Sequence, residues 1–222
     1  LMNVGGITDR VFSFAHRLLK GVPAGLAHSN IVASIIFSGM SGSALADAGG
    51  LGSVEIKAMK DHGYSDRLSV GVTGGSSIIG PIIPPSIPAV VYAVTAGVSV
   101  GRLFVAGIVP GLLMGILLAL QVAWIARKED IERLHGSPFR DLIRSFVHSL
   151  PGLFAIVIIL GGIISGLFTP TEAAAVAAIY VTLIGLLVYR ELTWTKFVQC
   201  LRTSSITMIK VSFLIVTAAL FG

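Results

Sequence analysis

The sequence predicts an all-α membrane protein: a polytopic helical bundle with a re-entrant helical hairpin and one discontinuous, unwound transmembrane helix. Three observations carry that expectation. Only 12% of the 222 residues are charged and the mean hydropathy is +0.90. A soluble domain carries about 25% charged residues, so this chain has too little polar surface to cover a water-soluble globule. Apolar runs at 103–126, 150–168 and 173–189 approach spanning length, and a fourth begins at 203; a spanning helix needs roughly 20 apolar residues. Two further apolar stretches, 22–50 and 68–98, are interrupted by Gly, Ser and Pro.

In chain order, residues 1–21 read as an interfacial amphipathic arm. Val11, Phe12, Phe14, Ala15, Leu18 and Leu19 share one helical face, rimmed by Arg10, Arg17 and Lys20. Residues 22–60 read as a helical hairpin whose tip lies in the run Ser38-Gly39-Met40-Ser41-Gly42-Ser43. Asn30 is placed to bridge the two hairpin arms. Residues 68–98 read as a crossing helix that unwinds at Gly80-Pro81 and Pro84-Pro85-Ser86, after Ser76 and Ser77. Residues 103–202 hold connecting and scaffold transmembrane helices. The turn Thr169-Pro170-Thr171-Glu172 joins two of them, with Thr171 a plausible helix cap. Residues 203–222 start another span. The chain opens on Leu1 rather than Met and closes on Gly222 straight after an apolar run, and reads as a piece of a longer membrane protein.

Charge orients the layout. With 51–67 on the cytoplasmic side, 14 of the 16 Lys and Arg residues fall on that side, as the positive-inside bias expects. This works only if 22–50 enters and leaves on one side, as a re-entrant hairpin does. The net charge of +5 is spread between apolar runs, which fits loop charges and no nucleic-acid partner.

The broken segments carry the chemistry. Non-helical backbone survives at membrane depth only where protein or a water-filled cavity surrounds it. Four prolines lie within eight residues, at 81, 84, 85 and 88, and each removes a backbone donor. Free carbonyls and hydroxyls suit Na⁺, and exposed helix N-termini suit a carboxylate. Ser38, Ser41, Gly42, Ser43, Ser76, Ser77, Gly80, Pro81, Pro84, Pro85 and Ser86 are therefore candidate substrate- and ion-binding positions, with Na⁺ near Ser41, Ser43 and Gly80. Asp47 is either a further site residue, a cap of the second hairpin helix, or half of an ion pair. A pore also uses carbonyls and broken helices, so a channel is an alternative. A membrane enzyme is not expected: no Walker loop, zincin motif or nucleophile elbow occurs. Cys200 is the single cysteine, so no internal disulfide is possible.

The run Asn30–Asp47 (NIVASIIFSGMSGSALAD), the run Gly74–Tyr92 (GGSSIIGPIIPPSIPAVVY) and the turn Phe168-Thr169-Pro170-Thr171-Glu172-Ala173-Ala174 closely resemble the large membrane subunit, DctM type, of tripartite ATP-independent periplasmic (TRAP) transporters. The resemblance implies an ion transporter superfamily fold with two inverted repeats, working as an elevator in a bacterial or archaeal cytoplasmic (inner) membrane. It implies two protein partners in the lipid bilayer and periplasm: a small four-helix membrane subunit (DctQ type) and a substrate-binding protein (DctP type). It implies uptake of an organic acid such as a C4-dicarboxylate, coupled to Na⁺, without an organic cofactor. Ser41, Gly42 and Ser43 would form the first hairpin tip, and Gly80, Pro81, Pro84, Pro85 and Ser86 the unwound crossing. Residues 203–222 would start the second inverted repeat, whose own hairpin and second Na⁺ site lie beyond Gly222, so the chain alone is expected not to transport. A related carrier that works without a binding protein is the alternative within transport.

Overall fold

The computed structural model describes residues 2, 4–129, 131 and 138–221. All regular structure among them is helical: α1 (Ile7–Leu19), α2 (Gly25–Ser41), α3 (Ala44–Asp61), α4 (Asp66–Ser77), α5 (Ile87–Ala96), α6 (Val100–Lys128), α7 (Phe139–Ile164), α8 (Pro170–Leu183), running on into a π-helical turn at Ile184–Val188, and α9 (Trp194–Phe221). Among the described residues four helical stretches are long and apolar enough to cross a membrane: Val100–Lys128, Phe139–Ile164, Pro170–Val188 and Trp194–Thr217. The polarity is that of a membrane protein. Val109, Ile116, Leu117 and Leu120 of α6 face outward, whereas Asn30, Ser34, Asp47, Glu55, Thr73 and Ser76 are buried.

Several helices run further than the apolar runs that announce them. The charged stretch 51–67 is mostly helix, because Leu51, Gly52, Glu55 and Met59 give α3 a continuous buried stripe. Only residues 62–65 connect it to α4, which Ser65 caps by accepting from the Leu68 amide. The polar residues 139–148 belong to the same helix as the span after them, and Pro151 lies inside α7. Part of the polar segment expected over 127–148 falls on 130 and 132–137, outside the described residues. The helix cap at the α7–α8 turn is Thr169, not Thr171. The Thr169 hydroxyl accepts from the Glu172 amide at 3.3 Å and the Glu172 carboxylate accepts from the Thr169 amide at 2.8 Å. This is a capping box with Pro170 at the first helical position, where its missing N–H costs nothing.

α1 buries one edge of its apolar face against protein, while Leu18 stays exposed. Ile7, Val11 and Ala15 are buried at four-residue spacing as α1 packs on α2 and α7. Ser29 of α2 donates to the Ala15 carbonyl at 3.2 Å, and Arg10 pairs with Glu191 at 2.7 Å while lying over the Tyr189 ring.

The helices α2, α3 and α4 pack against one another, and α6 lies against α2 and α4. Their apolar core joins Ala27, Ile31, Met59, Leu68, Val72 and Val122. Above it sits a polar ladder. Asn30 donates to the Thr73 hydroxyl at 2.7 Å, Ser76 donates to the Asn30 carbonyl oxygen at 2.8 Å, and Ser34 donates to Ser76 at 3.0 Å. Asn30 thus ties α2 to α4; the expectation that it bridges the two hairpin arms is corrected, because Thr73 and Ser76 present the hydroxyls that match both ends of its amide. Asn30→Ala removes one hydrogen bond each from the buried Thr73 and Ser76 hydroxyls, which keep their bonds to the Ser69 and Thr73 carbonyls, at about 0.5–1.5 kcal/mol per bond lost. A lowered melting temperature of the purified, complete membrane protein is the expected result; an unchanged melt would show that the ladder does not hold α2 to α4.

Candidate functional site

α2 ends at Ser41 and α3 begins at Ala44, so Gly42 and Ser43 alone make the hairpin tip. Gly42 has φ +59°, a left-handed conformation that costs a residue with a Cβ about 1 kcal/mol or more. Ser43 is extended and caps α3, its hydroxyl accepting from the Ala46 amide at 3.4 Å. The second break lies between α4, which ends at Ser77, and α5, which begins at Ile87. Residues 78–86 carry no α-helix. Turn bonds from the Ile79, Gly80, Ile82 and Ile83 amides fold them tightly. Ser86 caps α5, accepting from the Ala89 amide at 3.2 Å, and donates to the Pro81 carbonyl at 2.5 Å. The Pro84-Pro85 peptide is cis.

The fold brings these two breaks into contact. A Cβ on Gly42 would lie 2.6 Å from the Pro85 carbonyl oxygen, 3.1 Å from the Ile87 nitrogen and 3.2 Å from the Ser86 Cα. A Cβ on Gly80 would lie 3.1 Å from the Ser77 carbonyl oxygen and 3.5 Å from the Ala44 nitrogen and the Ser43 carbonyl carbon. Four helix ends therefore converge: the C-termini of α2 and α4 and the N-termini of α3 and α5. Helix C-termini carry partial negative charge and favour a cation; N-termini carry partial positive charge and favour a carboxylate. The oxygens at hand are hydroxyls and backbone carbonyls, which are hard ligands suited to an alkali cation. Among the described residues no three His, Cys, Asp or Glu side chains gather as a metal centre would need.

The remaining candidates divide. Gly42, Ser43, Gly80, Pro85 and Ser86 meet at this junction, Pro81 joins it through the Ser86 hydroxyl, and Pro84 lies toward Gly107 of α6. The side chains of Ser38 and Ser41 lie outside the described ones. Ser76 is buried in the ladder with Asn30, and Ser77 donates to the Gly74 carbonyl at 2.9 Å, both in the last turns of α4 leading into the break. Asp47 neither caps α3, a role Ser43 takes, nor pairs with a cation. It lies in the first turn of α3, 2% exposed. The Ser34 hydroxyl lies close enough to stabilise the Asp47 carboxylate and also donates to Ser76; among the described residues neither Asp47 oxygen meets full hydrogen-bonding geometry.

Sequence reasoning missed Thr73, Ser34 and Glu55. Thr73 lies three residues before Ser76, one helical turn, so the helical period of α4 already put both hydroxyls on one face. Glu55 follows Asp47 by two turns of α3 but sits in a stretch whose charges were read only for the side of the membrane they mark.

The family description "Tripartite ATP-independent periplasmic transporter, DctM component" matches residues 1–222. The chain is 48% identical to the sialic acid TRAP transporter permease protein SiaT of Haemophilus influenzae, over all of this chain and 36% of that one. It is 46% identical to the sialic acid TRAP transporter large permease protein SiaM of Vibrio cholerae, and 39% identical to the C4-dicarboxylate TRAP transporter large permease protein DctM of Pseudomonas aeruginosa, in both cases over all of this chain and 52% of the relative. The chain thus spans about half the length, or less, of these relatives. They are transport permeases and not enzymes.

Proposed function

The chain belongs to the DctM component family of tripartite ATP-independent periplasmic transporters, and from that premise we propose that it forms part of the large permease of a Na⁺-coupled importer of organic acids. The observation that carries the reading is the contact between the Gly42–Ser43 tip and the 80–87 break, where two helix C-termini and two helix N-termini meet. In this reading α2 and α3 form a hairpin that enters the membrane from the cytoplasmic face and returns to it. α4 and α5 are the halves of one discontinuous crossing helix. Na⁺ would be held by the Ser43 hydroxyl and by carbonyls around Ser41, Gly42 and Gly80, and its charge would offset the C-terminal ends of α2 and α4. The substrate carboxylate would be drawn to the N-termini of α3 and α5, with Ser86 near it. The other half of the site comes from the remainder of the permease, so the whole transporter, with a small membrane subunit and a periplasmic binding protein, is the working unit in the cytoplasmic membrane.

Substrate class follows the chemistry of this junction: a carboxylate. C4-dicarboxylates and sialic acid, the substrates in the names of the relatives, both qualify. The test is uptake by the complete transporter in proteoliposomes with its binding protein. Uptake of sialic acid or of a C4-dicarboxylate is expected only under an inward Na⁺ gradient. Equal uptake in Na⁺-free buffer under a proton gradient would sink the Na⁺ assignment, and saturation that depends on the binding protein separates a carrier from a channel. Ser43→Ala should raise the Na⁺ concentration for half-maximal uptake by about tenfold, the loss of one ligand hydroxyl at roughly 1.4 kcal/mol. An unaltered Na⁺ response would remove Ser43 from the site.

A further inference from the structure

A second acid in the hairpin unit calls for an explanation that the ion site does not supply. Glu55 lies in the middle of α3 and is 2% exposed. Its Oε1 is buried with no hydrogen-bond partner among the described residues. It occupies the same stripe as Leu51 and Met59, one turn to either side, facing α2 and α4. Met59 belongs to the apolar cluster with Ala27, Ile31, Leu68 and Val72. The helical period puts Glu55 between that cluster and Gly52, where a Cβ would touch the Thr73 methyl. It thus sits at the foot of the Asn30–Thr73–Ser76–Ser34 ladder, and Asp47 near its head.

Among the described residues none of Lys, Arg or His is buried. Asp47 is the charged group that acts on Glu55, and it is repulsive. On α2 the titratable group is His28, which lines a separate cleft with Val22 and Arg127; in the α3–α4 connection the buried Tyr64 packs in the same cluster as Met59 and brings no positive charge. On α4, Asp66 is exposed and pairs with Lys60, and Arg67 lines another cleft with Lys128 and Glu129. An isolated ionised carboxylate in such surroundings is prohibitively costly, and the group takes a proton instead. An apolar residue of similar volume would fill the position without that cost.

We infer that Glu55 is a proton-binding site of the hairpin unit, holding a proton while α3 is packed between α2 and α4 and releasing it to water only when those helices part. The chemistry balances as Glu55 carboxylic acid giving carboxylate plus one proton to solvent. Alkaline pH then favours the parted arrangement, and the packed one, which docks the hairpin tip on residues 80–87, is lost as pH rises through the titration. That last step, and only that step, rests on the transport reading.

Infrared difference spectroscopy of the complete transporter between neutral and alkaline pH reads the proton directly. A protonated-carboxyl C=O band should disappear on the alkaline side and be absent from Glu55→Gln. A spectrum that Glu55→Gln leaves unchanged overturns the proposal. In proteoliposomes at a fixed Na⁺ gradient, wild-type uptake should fall about tenfold for each pH unit beyond the titration midpoint, whereas Glu55→Gln, which cannot titrate, should give a flat profile. Identical profiles overturn the link to packing. If Glu55→Gln does not accumulate, Glu55→Asp, which keeps a titratable carboxyl, must displace both the band and the midpoint; an undisplaced pair counts against the proposal. Absence of wild-type uptake at every pH would be a failure of the transport reading, and the infrared result still decides the proton site.

Discussion

Gly42→Ala is expected to weaken Na⁺-dependent uptake more than any other single methyl addition in the hairpin. Two costs add. Alanine at φ +59° costs about 1 kcal/mol or more, and its Cβ would stand 2.6 Å from the Pro85 carbonyl oxygen, which belongs to backbone that turn bonds already hold. Either α3 tilts away or residues 85–87 shift, and in both cases the four helix ends no longer converge. A loss of at least tenfold in apparent Na⁺ affinity is expected, about 1.4 kcal/mol or more. Uptake against Na⁺ concentration measures it, as does the Na⁺-induced rise in melting temperature. The control is Gly49→Ala on α3, where an added Cβ meets nothing within 4 Å and helix propensity improves; it should behave as wild type. Equal Na⁺ responses of Gly42→Ala and Gly49→Ala would mean that the tip has no need of its close seat.

Gly107→Ala should be the more damaging change on the scaffold side. Gly107, Gly111 and Gly115 recur every four residues along α6 and so share one face. That face receives the break and the hairpin: a Cβ at 107 would collide with the Ile82 backbone carbonyl, at 111 with the Ile83 side chain, and at 115 with Ile35 Cδ1 at 2.7 Å. The three positions grade the effect. A side-chain terminus such as Ile35 Cδ1 can turn aside, so Gly115→Ala should be mild. The Ile82 carbonyl cannot move without moving the turn that carries Gly80 and Pro81. Overpacking of this kind costs about 1–3 kcal/mol, and Gly107→Ala is expected to lower the melting temperature and to reduce uptake severalfold. Melting and uptake of the three variants side by side would check the order; Gly115→Ala harming the protein more than Gly107→Ala would contradict it.

The two predictions draw on different kinds of information. Gly42 stood out in the sequence, because a glycine between two serines in an apolar stretch marks a helix reversal. Its seat against Pro85, 43 positions away in the numbering, did not. The α6 glycines were read only as part of an apolar run, since nothing local tells which face of a spanning helix meets protein and which meets lipid. The capping box at Thr169 was legible as Thr-x-x-Glu, and the preference for Thr171 overlooked the reciprocal bond that only this spacing allows. Within the stretch 51–67, read up to residue 60 as part of the hairpin, the inward turn of Glu55 was not legible, for a plainer reason. The charges there count toward polarity whichever way they point, and helical phase turns Lys57 and Lys60 outward while turning Glu55 in.

Composition, apolar run length and the clustering of Gly, Ser and Pro by themselves determined that this is a helical membrane protein with two interrupted segments, because bilayer thickness and backbone hydrogen bonding act on local sequence. Which interrupted segment touches which, that Asn30 reaches across to α4, and that Glu55 lies in the core with its Oε1 unpartnered among the described residues were decided only by tertiary structure. Each depends on how helices distant in sequence dock, and the side-chain surfaces that set that docking have no local signature.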